Sequence, residues 1–265
     1  MEWMGSLAGF TDVGESRDHN EDGLLLQDLG GGREIPTQLT SSSFQDGLLL
    51  AVSDGMGGAS AGETASSITL EALREHGRNA RERVFSGDGA EGLELWLAEG
   101  IHLANRRVLE AGIEDPSLAG MGATATAALV FGGTLFLAHV GDSRAYLLRA
   151  GSLLQLTSDH TLVGQMVARG DLSPDEAREH DQRHMLLQAV GTQERLDVET
   201  TFFDLEAGDR LLLCSDGLYD LVRDEGIAQT LSDDGDPEAQ CKALVTAANS
   251  LGGFDNITVV ILHLG

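Results

Sequence analysis

The chain has 265 residues, enough to bury a sizeable core in one large domain or two small ones. A hydrophobic content of 42% with only four prolines argues for a globular chain rather than a disordered one. The formal charge of -26, from 43 acidic against 17 basic residues, repels phosphate backbones and anionic lipid, so nucleic acid and membrane surfaces are excluded as partners while divalent cations are attracted.

Two cysteines, Cys214 and Cys241, do not make a disulfide framework. No apolar segment reaches the roughly 18 residues of a membrane span. The opening MEWMGSLAGF lacks the basic and long apolar regions of a secretory signal, so a cytoplasmic location is the expectation.

In chain order, apolar runs predict strands at 22–28 and 47–53, with a soft loop, GGGREIPTQLTSSS, at 30–43. Ala65, Ile68, Ala72 and Leu73 place a helix over 60–80. A second soft loop is expected at 85–91. A second long helix over 91–111 carries Leu93, Trp96, Leu97, Ile101, Ala104 and Val108 on one face. Strands follow at 123–131, 134–140 and 144–149, with hairpin signals at Gly132-Gly133, Gly141-Asp142-Ser143 and Ala150-Gly151. The polar, helical stretch 161–183 lies between strands and reads as an excursion from the core. Within it Ser173-Pro174-Asp175-Glu176 has the form of a capping box. Strands at 199–204 and 209–214, a helix opened by Asp236-Pro237 and a last strand at 256–263 complete the pattern. Strands, paired helices, strands again and a terminal helix predict an α+β fold of packed antiparallel sheets with helices outside.

Acidic residues recur at the ends of these strands. Asp54 closes the run in VSDGMGG and Asp216 does the same in CSDG. Asp142 follows a strand in HVGDSR, Asp255 precedes one in GGFDNITVV, and Glu21 and Asp22 open the first. Taken singly, each Asp beside a glycine is also a turn residue. Taken together, converging carboxylates would raise one another's pKa, and a hard divalent cation relieves that cost. Two such ions roughly 3.5–4 Å apart can hold and activate a water against a phosphoryl group. Glycine beside each Asp leaves room for close approach. The chain has no P-loop, no GxGxxG, no EF-hand loop, no HExxH and no GxSxG elbow.

These motifs resemble the metal-dependent serine/threonine protein phosphatases of the 2C type in their compact bacterial form. The matching stretches are DVGESRDHNED at 12–22, VSDGMGG at 52–58, GMGATATAALV at 120–130 and AHVGDSRAYLL at 138–148. They continue with LTSDHTLV at 156–163, LLLCSDGLYDLV at 211–222 and GGFDNITVVIL at 252–262. The resemblance implies a four-layer αββα sandwich over residues 1–265, with 161–183 as a flap beside the site. It implies two Mn²⁺ or Mg²⁺ ions and a weaker third. Asp54 would bridge the ions, Gly55 would offer its carbonyl, and Asp216 and Asp255 would complete the first ion's shell. Glu21 and Asp22 would serve the second ion, and Asp142 with Asp216 would form the third site. Arg17 matches the phosphate-binding arginine, and the reaction implied is hydrolysis of phosphoserine and phosphothreonine monoesters by a metal-bridged water.

Two departures stand out. Met56 occupies the place of a histidine proposed as general acid in eukaryotic members, leaving His19 and His160 as conceivable donors. His184 and Gln188 fill the polar slots of HMLLQAVG, where the family shows Asn and Arg. The implied partners are phosphorylated proteins and a cognate serine/threonine kinase or its targets, acting on a monomer. A catalytically silent phosphoprotein- or kinase-binding regulator of the same fold, and a phosphatase of small molecules, stay open as alternatives.

Overall fold

The computed structural model describes residues 5–31, 33–35, 47–79 and 92–265. The predicted loop at 85–91 lies outside these residues, as does most of the one at 30–43. Two antiparallel sheets face each other. One runs β1 (Gly5–Asp12), β12 (Ile257–Leu264), β11 (Arg210–Cys214), β8 (Arg144–Arg149), β9 (Ser152–Gln155). The other runs β10 (Glu199–Asp204), β7 (Thr134–Val140), β6 (Ala125–Phe131), β4 (Leu48–Met56), β2 (Asp22–Asp28), β3 (Arg33–Glu34), with β5 (Gly122–Ala123) on the end of β4.

The central strands have no polar face because both of their faces are buried. On β4, Leu48, Leu50 and Val52 join the core between the sheets, while Leu49 and Ala51 meet the outer helices. On β12, Val260 and Leu262 face the other sheet, and Ile257, Val259 and Ile261 face helices on the opposite side. The period of 2 therefore sends successive side chains into different cores. Each fully buried leucine contributes about 1.5–3 kcal/mol.

Helices α1 (Ala59–Arg78) and α2 (Leu93–Glu114) cover the second sheet, with Ala65, Leu73, Trp96, Leu97 and Ile101 turned inward. Helices α5 (Asp216–Tyr219), α6 (Asp224–Ser232) and α7 (Pro237–Ser250) cover the first through Leu218, Ile227, Leu231, Leu244 and Val245. The result is the αββα order. Between β9 and β10 the chain forms α3 (Leu162–Arg169) and α4 (Pro174–Arg178), and the capping box of Ser173 and Glu176 is present.

Three differences from the sequence reading matter. Gly5–Asp12, for which the apolar pattern gives no strand, pairs residue for residue with β12, from Gly5 opposite Leu264 to Asp12 opposite Ile257. The predicted strand 123–131 is interrupted at Thr124, whose N–H bonds the Asp54 carbonyl at 2.8 Å. Gly141-Asp142-Ser143 is not a hairpin turn: β7 and β8 belong to different sheets, and these residues carry the chain across. Gly141 has φ 108°, which only glycine takes without strain, and a side chain there would collide with Thr124.

Candidate active site

The strand ends meet at one edge of the sandwich. Asp54 lies near the end of β4, and its N–H donates to Thr124 Oγ1 at 2.9 Å. That hydroxyl in turn shares a proton with Ser143 Oγ at 2.6 Å. Asp22 stands opposite Asp54 in the β2–β4 register and accepts the Ser215 hydroxyl on Oδ2 at 2.6 Å. Asp216 opens α5 directly after β11, and Asp255 immediately precedes Asn256 and β12. Asp142 lies on the crossover between the sheets.

A cavity of about 680 Å³ opens here, lined by Arg17, Glu21, Asp54, Gly55, Asp142, Asp216 and Asp255 together with Met56, His19 and His184. The structure thus brings seven of the eight residues singled out from sequence to one cavity wall. The eighth, Asp22, sits behind it against Ser215. Gly55 is glycine by necessity, since a Cβ would stand 2.1 Å from the Gly62 carbonyl oxygen in the first turn of α1. The Glu21 carboxylate in turn fills the space that a Gly62 side chain would take.

Crowding of like charges shows in the titration of the carboxyls. Burial, followed by repulsion from Asp22, Asp216, Asp142 and Asp255, holds Asp54 well above the usual carboxylate range. Asp216 is raised likewise by burial, then by Asp142, Asp220 and Asp255. Burial pushes Asp142 up to about 7, with Asp159 adding to it and Arg144 opposing. Burial lifts Asp22 to about 6 against the bonds from Ser215 and Thr258. Glu21 is also raised, by burial, while Arg17 pulls it down. The half-exposed Arg17 donates from Nη2 to Asp255 Oδ2 at 2.7 Å, which raises its own pKa.

The donor set fits a hard divalent cation. All the cavity's acidic donors are carboxylate oxygens, and Asp216 Oδ1 is buried with no hydrogen-bond partner among the described residues. An orphaned carboxylate oxygen amid four other acids is costly unless a cation answers it.

Sequence reasoning missed the hydroxyls of Thr124, Ser143 and Ser215 that orient these acids. Ser143 and Ser215 each adjoin an Asp of the site, a pairing that turns also use, and Thr124 carried no signal. His160, a conceivable proton donor by sequence, does not line the cavity. Its Nδ1 accepts the Gly141 N–H at 3.3 Å, and Nε2 lies 3.5 Å from Glu199 Oε2. His160, His139 and Glu199 have metal-ligand spacing, but His139 already meets Thr126 Oγ1 at 2.8 Å and the Gly141 carbonyl at 3.0 Å. His184 is exposed, with Nδ1 at 3.9 Å from Asp216 and 3.7 Å from Asp220.

A carboxylate-lined cavity at the end of a double-sheet sandwich, with an arginine at its rim, describes a metal-dependent hydrolase. The family model for protein phosphatase 2C matches residues 16–247. The serine/threonine phosphatase Stp of Listeria welshimeri is 34% identical over 253 residues, covering 96% of this chain and 93% of that protein. The crystal structure of Stp1 from Staphylococcus aureus superposes with a TM-score of 0.83 at 32% identity, over 98% of this chain and 94% of that one. The catalytic domain of PstP, crystallised with two manganese ions, gives 0.80 at 33% identity and 99% coverage of both chains. The chain belongs to the protein phosphatase 2C family.

Proposed function

We propose that this protein hydrolyses phosphoserine and phosphothreonine monoesters on protein substrates, using two Mn²⁺ or Mg²⁺ ions in the carboxylate cavity. One observation carries the reading: Glu21, Asp54, Asp142, Asp216 and Asp255 converge on the cavity that Arg17 borders, and a buried oxygen of Asp216 is left without a partner among the described residues. The relative that holds two manganese ions supports the same choice of cofactor.

Asp54 is proposed to bridge the two ions, with the Gly55 carbonyl, Asp216 and Asp255 serving the first and Glu21 the second. Asp22, behind Asp54 and held by Ser215, would serve the second ion's side. Asp142 with Asp216 would hold a third, weaker ion. When bound, the ions supply positive charge and a water acidified enough to attack phosphorus at neutral pH. The chain's own residues do the rest. Arg17 is fixed at one edge by Asp255 and offers its planar fork to phosphate oxygens. Thr124 and Ser143 hold the Asp54 backbone, and Gly55 leaves the approach open. Met56 carries no transferable proton, so protonation of the leaving alkoxide falls to water or to a histidine lining the cavity, His19 or His184.

Residues 161–183 are proposed as a flap. Helices α3 and α4 border a pocket of about 300 Å³ that shares Asp142 and His184 with the catalytic cavity. A monomer acting in a reducing cytoplasm, opposite a serine/threonine kinase, is the setting proposed. Both cysteines are free and buried, and no helix among the described residues is long and apolar enough to cross a membrane.

The test is hydrolysis of p-nitrophenyl phosphate and of a phosphothreonine peptide with Mn²⁺, with EDTA, and by Asp216→Ala. Turnover with Mn²⁺ that is lost in both controls is expected. Folded protein that binds Mn²⁺ without turnover would favour the silent regulator.

A further inference from the structure

Arg17 sits in the middle of an irregular segment, Val13–Glu21, that carries no regular secondary structure between β1 and β2. A planar phosphate contact needs its guanidinium held to within fractions of an ångström. Two attachments come from the backbone: the Gly253 carbonyl accepts the N–H groups of Glu15 at 2.8 Å and Ser16 at 3.1 Å. Besides the bonds of Gly14 to Asp12 and Asn20 to Thr11, three more converge on one buried side chain. Asn256, only 4% exposed, donates from Nδ2 to the carbonyls of Val13 and His19, both at 2.9 Å. Its Oδ1 accepts the Glu21 N–H at 2.8 Å. Its own N–H donates to Asp255 Oδ1 at 2.9 Å, on the carboxylate whose other oxygen takes Arg17.

We infer that Asn256 is a positioning residue that sets Arg17 and Glu21 in a common frame with Asp255. The inference rests on the reading of Arg17 as the phosphate ligand. The chemistry singles out an amide. Two donors and an acceptor on one short planar group bind the start and the end of the segment together, and neither a carboxylate nor a hydroxyl supplies that set. The residue touches neither substrate nor ion in this reading and acts through the segment it ties.

Asn256→Asp keeps the shape and the acceptor but loses both donations. In the full-length enzyme with Mn²⁺ it is expected to raise the KM for p-nitrophenyl phosphate and the inhibition constant of inorganic phosphate about tenfold, roughly the worth of one hydrogen bond, with a smaller change in kcat. Made together with Arg17→Ala, the same substitution adds little further to either constant, since its effect runs through the missing guanidinium. Equal fold-changes in the two backgrounds, or an unchanged KM for Asn256→Asp, would overturn the proposal while leaving Arg17's role intact. A wild-type KM for Arg17→Ala would overturn that role and the proposal with it. Should Asn256→Asp not fold, Asn256→Ser enters the same cycle. Amide exchange on the unmodified enzyme is a further check: Glu21 should exchange as slowly as the amides of β12, and exchange as fast as exposed Asp18 contradicts the tie.

Discussion

Asp22 and Asp54 face each other directly across the antiparallel pair β2–β4, two carboxylates at a position where like charges destabilise a sheet. The Ser215 hydroxyl answers one oxygen of Asp22, and the remaining repulsion is left for a cation. Asp54→Asn should therefore act in opposite directions on folding and catalysis. Melting of the EDTA-treated protein at pH 8 should rise by a few degrees, while turnover of p-nitrophenyl phosphate with Mn²⁺ falls about a thousandfold or more.

The raised carboxyls also set the pH dependence of the metal-free fold. Asp142 titrates at about 7 and Asp22 at about 6, with Asp54 and Asp216 raised as well, so the native state holds protons the unfolded chain has released. Stability then falls as pH rises through this range. The buried His139 and half-buried His263 work the other way: burial lowers both to about 4, so their stabilising effect grows up to the unfolded histidine value near 6.5 and is complete above it. Between pH 6.5 and 8 only the carboxyls remain to titrate. Melting temperature in EDTA should drop by a few degrees over that interval, and Mg²⁺ should abolish the drop. A flat EDTA profile would contradict the crowding described.

Glycine substitution separates geometry from composition. Gly55→Ala places a methyl carbon 2.1 Å from the Gly62 carbonyl oxygen, with backbone on both sides. Loss of about 3 kcal/mol or more is expected in chemical denaturation. Gly235→Ala, whose nearest new neighbour would be Gln240 at an ordinary 3.6 Å, serves as the neutral control.

Removal of 165–180, within the segment proposed as a flap, should reduce turnover of a phosphoprotein more than turnover of p-nitrophenyl phosphate. A small aryl ester reaches the cavity without touching α3 or α4, whereas a folded substrate must pass them. Equal losses on the two substrates would remove the gating role.

Much of this architecture is legible in the chain because the central strands are buried on both faces. Leu48–Val52 and Val259–Leu262 read as unbroken apolar runs for that reason. The capping box at Ser173 is equally plain, being a local device. Strand β1 was hidden, since GSLAGFTD mixes glycine and polar residues and becomes a strand through its eight pairings with β12, at the far end of the chain. The acids of the site could be found by their place at strand ends. Their supports could not: Ser215 reaches Asp22 across 193 residues, and Asn256 reaches Val13 across 243. Only the folded chain brings such partners together, and serine, threonine and asparagine have many other uses at turns.

Asp22 and Asp54 belong to one sheet, whereas Asp216 and Asp255 adjoin strands of the other, and Asp142 lies on the span between them. A cation held among them, as proposed, would be a clasp across the open edge of the sandwich. The leucines and valines between the sheets attract without direction and do not by themselves fix how the layers are angled there. Loading the site would therefore do mechanical as well as chemical work, because it would lock two leaves of the molecule against each other. Chelation would unfasten that edge first, so the seam most prone to open is also the line along which the enzyme works.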